Sequence, residues 1–216
     1  MTTPSPALGR AFALILAAAA AALTASAARA ADFSDPTWPC VQRKVPNLSW
    51  GMMWTGMPID DSLGDWRDDP AVAELAPVLA VRRTPMEEAE RLIADFAGRL
   101  SEEAAPERLA LLFKGVFGLI DAERSKIVGG IGRYAQKQIA LSEEIDAMRA
   151  ELAELEAVED PSFDQQDRME ELQDRILWST RIYDERQQSL TYVCESPVLM
   201  EKRVFALARE IMSHLP

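Results

Sequence analysis

A chain of 216 residues, 48% hydrophobic and 27% charged, is long enough to bury one proper core. Its 35 acidic and 23 basic residues give a formal net charge of −12. That balance argues against nucleic acid and anionic lipid as partners, because phosphate surfaces demand Lys and Arg; a partner chosen by charge should be basic or cationic.

The first thirty residues read as a secretory leader. Arg10 supplies the positive start, residues 12–23 are apolar and alanine-rich, and Ala28-Arg29-Ala30 puts small residues where a signal peptidase reads them. Cleavage is expected after Ala30, which makes the protein periplasmic or otherwise exported, with no transmembrane span in the mature chain. An uncleaved membrane anchor is the alternative, but the apolar run falls short of the roughly 20 residues that a bilayer span needs. Cys40 follows Thr37-Trp38-Pro39 and lies too far along for lipoprotein processing. Without Arg10 and Arg29 the mature chain holds 21 basic against 35 acidic residues, a net charge of −14.

Residues 31–69 lack helical periodicity and are punctuated by Pro36, Pro39, Pro46, Pro58, Gly51, Gly56 and Gly64. They also hold Trp38, Trp50, Trp54 and Trp66, and disordered tails are poor in aromatic residues. The segment is therefore expected to be an ordered, irregular strap, laid across a helical surface by its indoles. Two cysteines in an exported chain most simply form one disulfide, Cys40–Cys194. An intermolecular bridge and a reactive thiol are the alternatives; with no C-x-x-C pair, a thioredoxin-type role has little support.

Helix signals follow in order. Asp69-Pro70 is an N-cap with proline at the first helical position, opening a short helix over 70–80 in spite of Pro77. Thr84-Pro85-Met86-Glu87 predicts a second start, with Thr84 as cap and Glu87 completing a capping box. Its helix carries Ala89, Leu92, Ile93, Phe96 and Leu100 on one face and ends near 98–100.

A long helix is predicted from near Pro106 to about Val158. Phe113, Ile120, Ile127, Tyr134, Leu141, Met148 and Leu155 form an unbroken seven-residue repeat. Phe117, Arg124, Ile131, Gln138, Ile145 and Leu152 interleave with it, apolar except at Arg124 and Gln138. Two such seams are the a/d signature of a helix burying a narrow stripe against another helix, with a left-handed supercoil. Glu159-Asp160-Pro161-Ser162 marks a turn, and the return helix repeats the logic through Met169, Ile176, Tyr183 and Leu190, and through Leu172, Ser179, Arg186 and Val193. Pro197 should kink this helix, or break it with a fresh cap from Ser196, before Met200, Val204, Leu207 and Ile211 resume the seams.

The fold class expected is all-α: a long antiparallel helical hairpin, or coiled coil, whose base packs with two shorter helices and the strap. Residues 70–135 and 190–216 form the base. Residues 136–189 form an arm projecting by about 40 Å at 1.5 Å per residue. With the turn near 160–161, opposed residue numbers should total about 321, which sets Gln138 near Tyr183 and the glycines Gly129, Gly130 and Gly132 beside Cys194. Those glycines would make room for the strap, a local helix irregularity being the alternative, and Gly115 and Gly118 would allow close helix contact in the base. Between residues 143 and 175 there are thirteen Asp or Glu and three Arg, so the far end of the arm is strongly negative.

No catalytic set is present: no HExxH, no G-x-S-x-G, no phosphate-cradling glycine loop and no EF-hand spacing. The chain is read as a non-enzyme without a cofactor. His214, the only histidine, is a terminal side chain. The carboxylates of the arm form a solvated face, a weak divalent-cation site being the alternative. Met52, Met53 and Met57, interleaved with Trp50 and Trp54, could offer soft sulfur ligands to Cu(I). Their plainer role is to glue the strap down. Polar seam residues such as Arg124, Gln138, Ser179 and Arg186 usually trade stability for register or partner choice, although Arg186 could simply snorkel toward Asp184 or Glu185. The favoured function is a periplasmic coiled-coil scaffold or adaptor that binds an envelope protein or a second copy of itself. A holdase-type chaperone and a Cu(I)-binding module are the alternatives.

Overall fold

The computed structural model describes residues 35–216, and α- and 3₁₀-helices are the regular structure among them. The leader assigned to residues 1–30 lies outside the described residues, as do residues 31–34 of the strap. Three one-turn 3₁₀ segments, Trp50–Met52, Asp61–Leu63 and Trp66–Asp68, precede four α-helices: α1 (Pro70–Ala80), α2 (Met86–Ala97), α3 (Ala105–Glu156) and α4 (Phe163–Ser213). Pro36–Pro216 forms one unit.

Helix α1 is short, contains Pro77, and is tied at both ends by the long helices. Asp69 caps it by accepting from the amides of Ala71 (3.0 Å) and Val72 (3.2 Å), and the same carboxylate takes a two-point bond from Arg108 of α3, at 2.7 and 2.9 Å. At the other end, buried Arg203 of α4 donates through Nε (3.0 Å) and Nη2 (2.7 Å) to the Leu79 carbonyl. A cation on the last carbonyls satisfies an orphaned acceptor and complements the helix dipole. The capping box expected at the start of α2 does not form. Pro85 is the N-cap residue, and the Thr84 hydroxyl turns back to donate to Val78 O at 2.8 Å, serving the end of α1 instead.

Helices α3 and α4, 52 and 51 residues long, pack against each other in opposite directions. Tyr134 lies opposite Arg186, Gln138 opposite Tyr183, Glu144 opposite Arg175 and Glu151 opposite Arg168. The turn between them is followed by a reciprocal cap: Ser162 Oγ accepts from the Gln165 amide while Gln165 Oε1 accepts from the Ser162 amide. Among the described residues the buried apolar side chains fall into three clusters. The largest joins α1, α2 and the strap to Leu109, Leu112, Phe113 and Val116 of α3 and to Val204, Leu207 and Ile211 of α4. A second surrounds Cys40, Cys194 and Ile131; the third joins Ile145, Met148 and Leu172, with Leu141, Leu152, Leu155, Ile176 and Tyr183 half-buried beside them.

Several expectations are corrected. Helix α4 continues through Pro197 without a break, and Ser196 Oγ donates to Tyr192 O within the helix instead of re-capping it. Proline removes only one intrahelical donor here, the amide that the Val193 carbonyl would have accepted from. Val193 is no seam residue: it is 42% exposed, and Cys194 takes the inward position because the strap reaches α4 there. Arg186 is likewise exposed. Nor do the three glycines clear a path for the strap. Among the described residues, a Cβ at Gly129 or Gly130 would meet only Arg133, and at Gly132 it would make ordinary contact with Thr37 O at 3.7 Å. Close approach occurs at Gly115, where a Cβ would lie 2.9 Å from the Trp66 ring and 3.0 Å from Ala76; at Gly118 no described residue lies within 4 Å.

Candidate functional site

The strap runs along α3 in the opposite sense, held by anchors of several kinds. Cys40 is disulfide-bonded to Cys194, 154 positions away. Buried Arg124, one of the two polar residues in the α3 seam, donates through Nη1 to Val45 O at 2.6 Å and reaches Glu201 of α4 at 3.6 Å. Ser125 Oγ donates to Pro46 O (2.9 Å), and the Leu48 amide donates to Asp121 Oδ1 (2.7 Å). Farther along, Trp50 meets Phe117 edge-on, and Trp54 stacks on Phe113 with centroids 4.7 Å apart. The role of Arg124 is therefore to bind strap to helix, which the seam pattern alone could not reveal.

The three thioethers proposed for Cu(I) sit in different environments. Met53 is 6% exposed within the main core, adjacent Met52 is 78% exposed, and Met57 lies at 36%. The Trp50 and Trp54 rings, which would supply the cation–π face, are engaged by phenylalanines of α3. His214 Nε2 lies 3.1 Å from Glu210 Oε1, one turn back on its own helix. Among the described residues no group of three or more His, Cys, Asp or Glu is placed to hold a metal ion, and no helix is long and apolar enough to cross a membrane.

Beyond the strap, α3 and α4 continue with only each other for company among the described residues. Here the seam is flanked by cross-helix ion pairs: Arg168 makes two bonds to Glu151, at 2.8 and 3.1 Å, and Arg175 reaches Glu144 at 3.2 Å. The Arg168 bonds hold the Glu151 carboxyl below its ordinary range, and Glu151 and Glu171 together raise the Arg168 guanidinium above its own. A notch of about 340 Å³ opens where the strap ends, lined among others by Pro36, Pro39, Gln138, Ile139, Tyr183 and Leu190. Gln138 donates through Nε2 to Tyr183 O at 3.1 Å, while its Oε1 is buried without a hydrogen-bond partner among the described residues.

The surface of this stretch holds apolar residues that seam counting passed over. Leu177 is 72% and Trp178 64% exposed, and with Asp174 and Arg181 they line a depression of about 440 Å³ on the side of α4 turned away from α3. The signal was present in the seven-residue repeat itself, since both occupy positions where a solvated helix carries polar side chains. Comparison with protein-family descriptions, curated proteins and solved structures finds no match to this chain.

Proposed function

We propose that this protein is an exported, non-enzymatic scaffold whose two long helices form an acidic coiled-coil arm that engages another protein. The observation that carries the reading is the exposure of Leu177 and Trp178, side by side on the arm between charged residues. Exposed large apolar side chains grouped within a polar rim are characteristic of protein–protein contact sites. Export is supported by the leader pattern and by the Cys40–Cys194 disulfide, a bond that persists in oxidising compartments. The arm keeps its own shape through the Ile145, Met148 and Leu172 cluster and its flanking ion pairs, so it can present a surface without help from the strap.

The test is to replace residues 142–179 with a short Gly-Ser turn, which rejoins α3 and α4 in register, and to compare both forms in pulldowns from a periplasmic fraction. The scaffold reading expects the trimmed protein to keep its disulfide and cooperative melting while losing its partners. Identical captures with and without the arm would defeat it.

A further inference from the structure

The outward side of α4 carries a pattern that reads the same from both ends. Its most exposed large apolar side chains are Phe163 at 85%, Tyr192 at 76%, Leu177 at 72% and Trp178 at 64%. Phe163 and Leu177 are two heptads apart, and so are Trp178 and Tyr192. At 3.6 residues per turn these four, with Asp174 and Arg181, fall within about 50° of a single line along the helix. That line is opposite Leu172 and Ile176, which pack toward α3. The pattern is symmetric about the peptide joining Leu177 and Trp178. Phe163 and Tyr192 lie equally far from that point, and so do Asp174 and Arg181.

We propose that α4 pairs through this face with α4 of a second copy of the chain, antiparallel, about a two-fold axis through the Leu177–Trp178 peptide. This rests on the scaffold reading and names its partner. A two-fold contact uses the same patch twice, so each residue must be complementary to its mirror position. Asp174 then meets the partner's Arg181 at two symmetric points, Leu177 packs on the partner's Trp178, and Phe163 meets the partner's Tyr192. The depression beside Leu177 and Trp178 is the place where the opposing indole would lodge. A foreign protein gives no reason for a stripe symmetric about its own midpoint; a second copy does. Two features weaken the contact. Arg181 already holds Glu185 on its own helix at 3.0 Å, and Glu170 meets the partner's Glu185 in this register. Like charges face to face oppose association, so the dimer is reversible and depends on concentration.

The experiment uses the full mature chain with its disulfide intact. Light scattering over a concentration series should show the mass doubling. Leu177→Ser with Trp178→Ser should weaken the dimer at least about tenfold at unchanged helicity, both side chains being solvent-exposed. Asp174→Arg should weaken it as well, and adding Arg181→Asp to that variant should restore it. A photo-crosslinking residue at Phe163 should label the 188–196 stretch, which in one chain is about 44 Å away at 1.5 Å per residue, so that such a product joins two copies. A monomer at every concentration, or a dimer indifferent to Leu177, Trp178 and Asp174, would overturn the pairing. If that monomer still captures another protein through the arm, the pairing alone falls. A monomer that captures nothing with or without the arm overturns both readings.

Discussion

Gln138 reaches across the helix pair to the Tyr183 carbonyl, at 3.1 Å, from a position that is otherwise part of an apolar seam. It is 5% exposed, and its Oε1 has no hydrogen-bond partner among the described residues. A buried unsatisfied acceptor costs on the order of 1–3 kcal/mol, more than one neutral hydrogen bond returns. Gln138→Leu should therefore leave stability unchanged or raise it by up to about 1 kcal/mol in urea unfolding. A loss of several kcal/mol would show that the acceptor is satisfied by bound water and that the amide holds the pair together.

The glycines of α3 separate into two kinds, and one substitution of each tests the distinction. Gly118→Ala has open space around it and should stabilise by about 0.5–1 kcal/mol through helix propensity. Gly115→Ala drives a methyl into the Trp66 ring and Ala76 and should cost about 1–3 kcal/mol, as overpacked cores do. Equal shifts in melting temperature for the two variants would refute the packing of the Trp66 turn on α3.

Much of this architecture was legible in the sequence, and the misses share a cause. Seven-residue spacing located both long helices, and counting back from Pro161 set Gln138 opposite Tyr183, because burial of a stripe imposes periodicity on the chain. The Asp69-Pro70 start was equally readable, being local capping chemistry. Thr84 and Glu87 looked like a capping box of the same sort, yet the Thr84 hydroxyl serves Val78, a choice decided by the fold of the preceding turn. Arg124 reads as a polar seam residue and Arg203 carries no signal of its own; their partners, Val45 and Leu79, are backbone carbonyls 79 and 124 positions distant. No local pattern encodes such contacts. Leu177 and Trp178 lie off the seams, and a count of buried positions says nothing about the opposite face of the helix.

The disulfide should dominate the stability of the strap. Closing a loop between positions 154 apart is worth about 5 kcal/mol in the chain-entropy treatment. Cys40→Ser with Cys194→Ser should lower the melting temperature strongly, and residues 36–48 should lose amide protection before α3 does. Uniform loss of protection across the chain would contradict a separately anchored strap.

Acid sensitivity has a specific source. The two-point bond from Arg108 holds the Asp69 carboxyl below the ordinary carboxylate range, helped by the Val72 and Ala71 amides. A group depressed in the folded state contributes stability that is present above its unfolded pKa and lost as pH falls through its folded value. Arg108→Met should therefore destabilise most near neutrality. The gap to the native protein should narrow as pH drops below the ordinary carboxylate range of about 4. A gap constant from neutrality to acid would mean that packing of Arg108 over Phe96, not its charge, carries the effect.

The pairing of α3 with α4 beyond the strap underlies every functional statement above. Its most direct measurement places single thiols at Glu144→Cys and Arg175→Cys, whose side chains lie 3.2 Å apart, and treats the protein with a short bis-maleimide linker. Paired helices give near-complete intramolecular bridging of that pair and little bridging in a Glu144→Cys/Asp184→Cys control. Equal bridging of both pairs, or of neither, would contradict the pairing.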